Sequence, residues 1–167
     1  MLFSVSATTR LMRDSEADGR DYYFLTSDEF QRKIRFDEFV EWEEIYGDYY
    51  GSLKSEVERA LSHNKVMLFD VDVKGALTIK SKYSHDTLLI FVKPPSLEVL
   101  RERLSKRKTE DEETIRKRLE RVPMELEKEK EFDFFVINDD LQRAVEAVDR
   151  VVTAAMDKPG RIIIKRK

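Results

Sequence analysis

The run Lys65-Val-Met-Leu-Phe-Asp-Val-Asp-Val-Lys-Gly75 places the tightest constraint on how this chain can fold. Val66 to Phe69 are consecutive apolar residues, and Asp70 and Asp72 follow two positions apart. A short, β-rich apolar run bounded by polar residues predicts a strand buried on both faces. Alternation along a strand puts Asp70 and Asp72 on one side, at the carboxyl end, where open parallel α/β sheets bind their ligands. Two carboxylates are costly to bury without a metal or hydrogen-bond donors. This strand end reads either as the floor of a site or as carboxylates that cap the next helix or sit in a solvated turn.

The rest of the chain alternates strands with amphipathic helices. Leu2–Ser6 is a strand candidate that runs into Thr8-Thr9-Arg10, with a second arginine at Arg13. Arginine forks match phosphate oxygens bidentately, although two such residues also suit a solvated basic turn. Asp18-Gly19 signals a turn, Asp21–Leu25 a short aromatic strand, and Thr26-Ser27-Asp28 the start of a helix with Phe30 and Ile34 on one face. Phe39–Ile45 alternates again, with Glu41 among aromatic residues, and Gly47–Gly51 is a turn into another strand. Residues 10–51 thus hold several short strands and one short helix, which predicts an inserted lobe. Ser52 is predicted to N-cap a helix bearing Leu53, Val57, Ala60 and Leu61.

Beyond the central run, Gly75–Lys82 reads as a helix and Thr87–Val92 as an apolar strand. Ser96 caps a helix with Leu97, Leu100 and Leu104, and residues 105–113 read as a charged loop. Thr109 and Glu112 have capping-box spacing for a helix whose stripe (Ile115, Leu119, Val122, Leu126) contains Pro123, a residue that should kink or split it. Phe132–Asn138 is a further strand. Leu141–Met156 is a helix with Leu141, Ala144, Val145, Val148 and Val152 on one face. The tail Ile162–Lys167 reads as an added edge strand or a disordered basic end. The pattern is α/β with a parallel sheet.

Composition narrows the function. At 167 residues the chain is one domain with room for small inserted lobes. Its net charge of −3 excludes a strongly basic nucleic-acid binder. With no cysteine there is no disulfide, thiolate metal site or thiol nucleophile, and the distant His63 and His85 suit surface loops. No stretch approaches the ~20 apolar residues of a membrane span, and the N-terminus lacks a signal-peptide pattern. The expectation is a soluble, cytoplasmic protein without a nucleic-acid or membrane partner.

Several stretches together resemble guanylate kinases. They are Ser4–Arg10, Asp18–Phe24, Glu38–Trp42, Gly47–Ser52, Asp70-Val-Asp72, Pro94-Pro-Ser96, the charged loop around Arg103 and Arg107, and Val136–Asp140, in order and in register over about residues 2–156. The resemblance implies a P-loop-NTPase-like parallel sheet flanked by helices. It also implies a GMP-binding lobe at about 6–52, a core at about 1–5, 53–96 and 131–157, a lid at about 97–130, and a tail at 158–167. The implied activity is phosphoryl transfer from ATP to GMP with Mg2+. Arg10, Arg13, Tyr22 and Tyr50 would hold the GMP phosphate. Glu41 would accept from guanine N1–H and the N2 amino group, with Ser6 and Ser52 adding polar contacts. Asp72 would lie by the guanine or ribose, and Asp70 near the water shell of magnesium. Arg103, Arg107 and Arg118 would neutralise the transferring phosphoryl group, and Asn138 would lie near the ATP adenine. Positioning and charge neutralisation are what phosphoryl transfer needs.

The resemblance also implies a strand, a GxxxxGK[ST] loop and a helix ahead of the part matching Leu2. The five glycines here are scattered, and none precedes a Lys-Ser or Lys-Thr pair. The expectation is therefore an N-terminally truncated guanylate kinase. The alternative is a non-catalytic guanylate-kinase-like module that binds GMP or a phosphorylated partner. In the family the first strand lies between those matching 66–72 and 88–92. An ordered chain must then close the gap by sliding strands together, by swapping a segment with a neighbour in self-association, or by inserting its own Arg161–Lys165.

Overall fold

The apolar runs pair into a five-stranded parallel sheet, and the short strands of the first third form a separate four-stranded sheet. The computed structural model describes residues 1–106 and 112–156, and the backbone of 162–166. In chain order the first elements are β1 (Leu2–Phe3), β2 (Ala7–Thr8), β3 (Tyr23–Phe24), α1 (Ser27–Arg35), β4 (Phe39–Ile45), β5 (Asp48–Leu53) and α2 (Lys54–Ser62). Then come β6 (Met67–Val71), α3 (Val73–Lys82), β7 (Thr87–Lys93), α4 (Leu97–Lys106) and α5 (Glu112–Glu127). A 3-10 turn at Lys128–Glu131, β8 (Phe134–Ile137), α6 (Leu141–Met156) and β9 (Ile162–Arg166) complete the order. The main sheet runs β1-β6-β9-β7-β8 and the smaller one β3-β2-β5-β4. Among the described residues no helix is long and apolar enough to cross a membrane.

The main sheet is covered on both faces. Met67, Phe69 and Val71 point to one side and pack with Val57 and Ala60 of α2 and Ala76 and Ile79 of α3. Leu88, Ile90 and Val136 point to the other and pack with Ala144, Val152 and Ala155 of α6. Burial along β6 nevertheless alternates, with Leu68 and Asp70 only half-buried, so its two faces are not equally enclosed. Leu141 and Val145, expected on the inner face of α6, are exposed, and the buried stripe of that helix starts at Ala144. In the smaller sheet Phe30 of α1 stacks on Phe39 at 4.4 Å and on Tyr49 at 5.4 Å, forming a core of its own with Ala7. Thr26 caps α1 through a capping box with Glu29.

Several local expectations are corrected. Ser52 does not cap α2. It lies within β5, the N-cap is Leu53 without a side-chain bond, and the Ser52 hydroxyl donates to Glu41 instead. Pro123 does not split α5, which runs unbroken through it. Its missing N–H costs one helical bond, offset by the packing of the adjacent buried Val122. The charged segment after α4 begins later than expected, because the helix continues to Lys106. Thr109, expected to cap α5, lies outside the described residues.

The largest correction concerns the tail. β9 is neither an edge strand nor a disordered end; of the three expected ways to close the gap, insertion of the tail strand is the one found. It pairs in parallel with β6 on one side and β7 on the other, with Ile163 opposite both Leu68 and Leu88 and Ile164 opposite both Phe69 and Leu89. An isoleucine triplet is strongly β-prone, and here it satisfies two rows of backbone groups that would otherwise face a gap. Leaving such groups buried and unpaired costs about 1–3 kcal/mol each, against a total stability of about 5–15 kcal/mol. Replacing Ile163→Pro should therefore destabilise the protein by about 3 kcal/mol or more, and a chain ending at residue 156 should lose cooperative unfolding. Urea melts of the two variants test this, and unchanged melts would remove β9 from the structural core.

Candidate functional site

A cleft of about 420 Å³ opens between the smaller sheet, the carboxyl end of β6 and helices α4 and α5. Glu41 forms part of its wall. The β4–β5 pairing slips at this point, with Phe39 opposite Leu53 but Glu41 opposite Ser52, and such bulges re-aim side chains. Phe39, Val40 and Glu41 are consequently buried in succession. One Glu41 oxygen accepts from the Ser52 hydroxyl at 2.6 Å. The other lies over the first turn of α3, where a Cβ added at Gly75 would sit 2.6 Å from Oε2. Burial pushes the Glu41 carboxyl up to about 7, the Ser52 bonds oppose the rise, and the nearby Asp72 and Glu43 add to it.

Asp72 lies one residue beyond β6 and does two jobs. Its Oδ1 accepts from the Gly75 N–H at 2.8 Å, capping α3. Its Oδ2 accepts from the Arg121 guanidinium at 3.1 Å. The two readings of the Asp70/Asp72 pair thus combine, since Asp72 caps a helix while both residues line the cleft.

Arg10, Arg13, Tyr22 and Tyr50 line the same cleft. The Arg10 fork meets Glu16 through two bonds of 3.0 and 2.8 Å. Its charged carbon lies 5.4 Å from the Tyr22 ring centre. Glu16 also accepts from the Arg13 backbone N–H at 2.8 Å. Burial lowers the Arg10 pKa, but the bond to Glu16 and the charge of Glu16, with smaller contributions from Tyr50 and Tyr22, together outweigh it and the net shift is upward. The same bond holds the Glu16 carboxyl below its ordinary value. Burial raises the Tyr50 phenol, against the pull of Arg10.

Of the residues singled out in the sequence, Ser6, Arg10, Arg13, Tyr22, Glu41, Tyr50, Asp70, Asp72 and Arg118 all line this one cleft. Ser52 stands behind it, fully buried and holding Glu41. Arg103 and Asn138 are not among the lining residues. They meet each other instead, with the Arg103 guanidinium donating to the Asn138 carbonyl at 2.8 Å and to that of Asp139 at 3.3 Å. Arg107 lies outside the described residues. Sequence reading missed Glu16, Gly75 and Arg121. Glu16 had a signal, since an acid three positions after Arg13 can fold back on the arginine pair. Gly75 and Arg121 had none for these roles, because the approach of Glu41 to Gly75 and the pairing of Arg121 with Asp72 link residues distant in sequence. Among the described residues no group of three or more potential metal ligands occurs, and a single carboxylate such as Asp70 suits magnesium, which is usually held by one or two carboxylates, waters and phosphates.

A parallel sheet with an inserted lobe, and a cleft of arginines and carboxylates at its carboxyl edge, defines the class as an α/β nucleotide phosphotransferase. Comparison with known proteins makes this specific. The family model described as guanylate kinase matches residues 1–155. A curated guanylate kinase of Porphyromonas gingivalis is 48% identical over 157 residues, covering 93% of this chain and 84% of its own length. One of Thermotoga maritima is 45% identical, covering 96% and 77%. A crystal structure of guanylate kinase from Anaplasma phagocytophilum superposes with a TM-score of 0.81 at 28% identity, covering 96% of this chain and 78% of that one. The chain belongs to the guanylate kinase family, which transfers a phosphoryl group from ATP to GMP.

The Glu41 carboxyl has a consequence for pH. Its folded value lies above the ordinary 4.5, so its contribution to stability is full below that value and is lost as pH rises through about 7. Urea melts of the ligand-free protein should show this loss between pH 5 and pH 7.5, and Glu41→Gln should remove it. An identical pH slope in the variant would show that Glu41 ionises as an ordinary surface carboxylate.

Proposed function

We propose that the cleft is the GMP site, with Glu41 reading the base and Arg10, Arg13, Tyr22 and Tyr50 holding the phosphate. The observation that carries this reading is the buried Glu41 carboxylate, fixed by Ser52 on one oxygen and bordering the same cleft as the arginine–tyrosine cluster. Guanine offers two N–H donors side by side, which a carboxylate accepts. Adenine presents an unprotonated N1 there and is repelled. Ser6 adds a polar contact, Ser52 acts on the base through Glu41, and Asp72 faces the base or ribose. Asp70 would hold magnesium through its water shell, and the ion would offset charge on the phosphates. Arg118, with Arg103 and Arg107, neutralises the transferring phosphoryl group, and Asn138 lies near the adenine of ATP.

GMP should bind at least about a hundredfold more tightly than AMP, because the wrong base leaves a buried carboxylate unpaired. Arg10→Ala should weaken GMP about tenfold or more while sparing guanosine, since its fork is assigned to the phosphate alone. Calorimetry with GMP, AMP and guanosine measures both effects. Equal affinity for GMP and AMP would sink the role of Glu41, and equal losses for GMP and guanosine would make Arg10 structural.

For the donor, GxxxxGK[ST] does not occur within residues 1–167, and such a loop supplies the amides and lysine that cradle ATP phosphates. The polypeptide of residues 1–167 by itself should therefore bind GMP yet show no measurable transfer from ATP. Placing a strand, phosphate loop and helix of the family ahead of Leu2 should restore transfer. A coupled ADP-release assay on both polypeptides decides, and full turnover by the shorter one would show that the loop is dispensable here.

A further inference from the structure

Arg121 has no role in the reading above, yet it is the side chain at which the three parts of the molecule meet. It belongs to α5, the helix that walls the cleft opposite the smaller sheet. Its Nη2 donates to Asp72 Oδ2 at 3.1 Å, across 49 residues of sequence. Its Nε lies 3.7 Å from Glu125 one turn further along α5. Its charged carbon is 5.8 Å from the ring centre of Tyr46, a residue held at φ 58° in the β4–β5 turn. The Asp72 and Glu125 side chains are both largely buried, and Arg121 itself is about one-fifth exposed.

We propose that Arg121 is a positioning residue for the acceptor nucleotide: it fixes the Asp72 carboxylate in the orientation the GMP base or ribose meets. The inference rests on the reading of the cleft as the GMP site. Asp72 has two oxygens and two fixed donors. Gly75 N–H holds Oδ1 from α3, and Arg121 holds Oδ2 from α5. With only the first donor the carboxylate remains anchored at one oxygen and can swing about it. With both, its plane is set before any ligand arrives, which reduces the ordering that binding requires. The pairing also governs charge. Asp72 raises the Glu41 carboxyl, and a guanidinium on Asp72 offsets part of that repulsion at the base-reading carboxylate. Arg121 in turn is held by Glu125 and packed on Tyr46, so it is itself oriented by the lid helix and by the lobe.

The test uses GMP and guanosine as probes, by calorimetry, on the wild type, Arg121→Ala, Arg121→Lys, Asp72→Asn and the double variant Arg121→Ala/Asp72→Asn. Thermal melts identify variants that unfold, and Arg121→Gln replaces Arg121→Ala if the latter does. Arg121→Ala should weaken GMP and guanosine by the same factor, about tenfold, and Arg121→Lys should recover part of the loss. In the Asp72→Asn background the further loss on removing Arg121 should shrink below about twofold, because the two residues act as one unit. Additive losses would overturn the proposal, as would unchanged GMP affinity in folded Arg121→Ala. A loss confined to GMP would make Arg121 a phosphate ligand and also overturn it. A wild type that binds no GMP removes the underlying reading of the cleft, whereas normal wild-type binding with any of those three results overturns the role of Arg121 alone.

Discussion

The approach of Glu41 to the first turn of α3 is the contact on which the cleft depends. It joins the two sheets, because β4 belongs to one and α3 covers the other. The approach is close enough that any side chain at residue 75 collides with the carboxylate. Two lysines of α3 reinforce it, Lys74 by pairing with Glu43 and Lys82 by donating to the Val40 carbonyl. A carboxylate buried in this way is unfavourable as an anion. It sits at a helix N-terminus, where the peptide dipoles favour negative charge, and the Ser52 hydroxyl satisfies one oxygen.

Organisation of charge before ligand arrival recurs across the cleft. Arg10 is held by a bidentate carboxylate and stacked near an aromatic ring. Asp72 is held by a backbone N–H and a guanidinium. A charge already oriented by a partner loses less freedom when it meets a substrate. The carboxylate of Glu16 also lowers the net positive charge of the arginine pair, which reduces the repulsion between the two arginines. Arg10 and Asp72 thus each have a charged partner that also lines the cleft.

Much of this was legible in the sequence where the determinants are local. The Val66–Asp72 run marks β6 and the floor of the cleft, because apolar continuity and a terminal Asp pair are both short-range signals. The capping box at Thr26 and Glu29 marks α1 for the same reason. Ser52 misled because its residue type favours a helix cap, whereas its position opposite a bulged Glu41 gave its hydroxyl a buried partner. Pro123 misled because a local rule was outweighed by packing. The Asp72–Arg121 pair was invisible, since nothing near either residue records the other. The Arg103–Asn138 contact was likewise invisible, and it sets Arg103 apart from the cleft-lining arginines.

The place of β9 also bears on how the molecule is assembled. Its neighbours β6 and β7 precede it in the sequence by some 70 to 95 residues, so a ribosome releases both sides of the sheet before the strand that lies between them. β6 and β7 do not pair with each other in the finished sheet. During synthesis they must stay apart, or part again, until α6 has emerged and led the isoleucine run back to the middle. Contacts of such long sequence separation form slowly, and in the interval the two inner strand edges are open to pairing with other chains. The segment that completes the sheet thus also ends its exposure to aggregation, and the rate at which it arrives sets how long a nascent chain stays at risk.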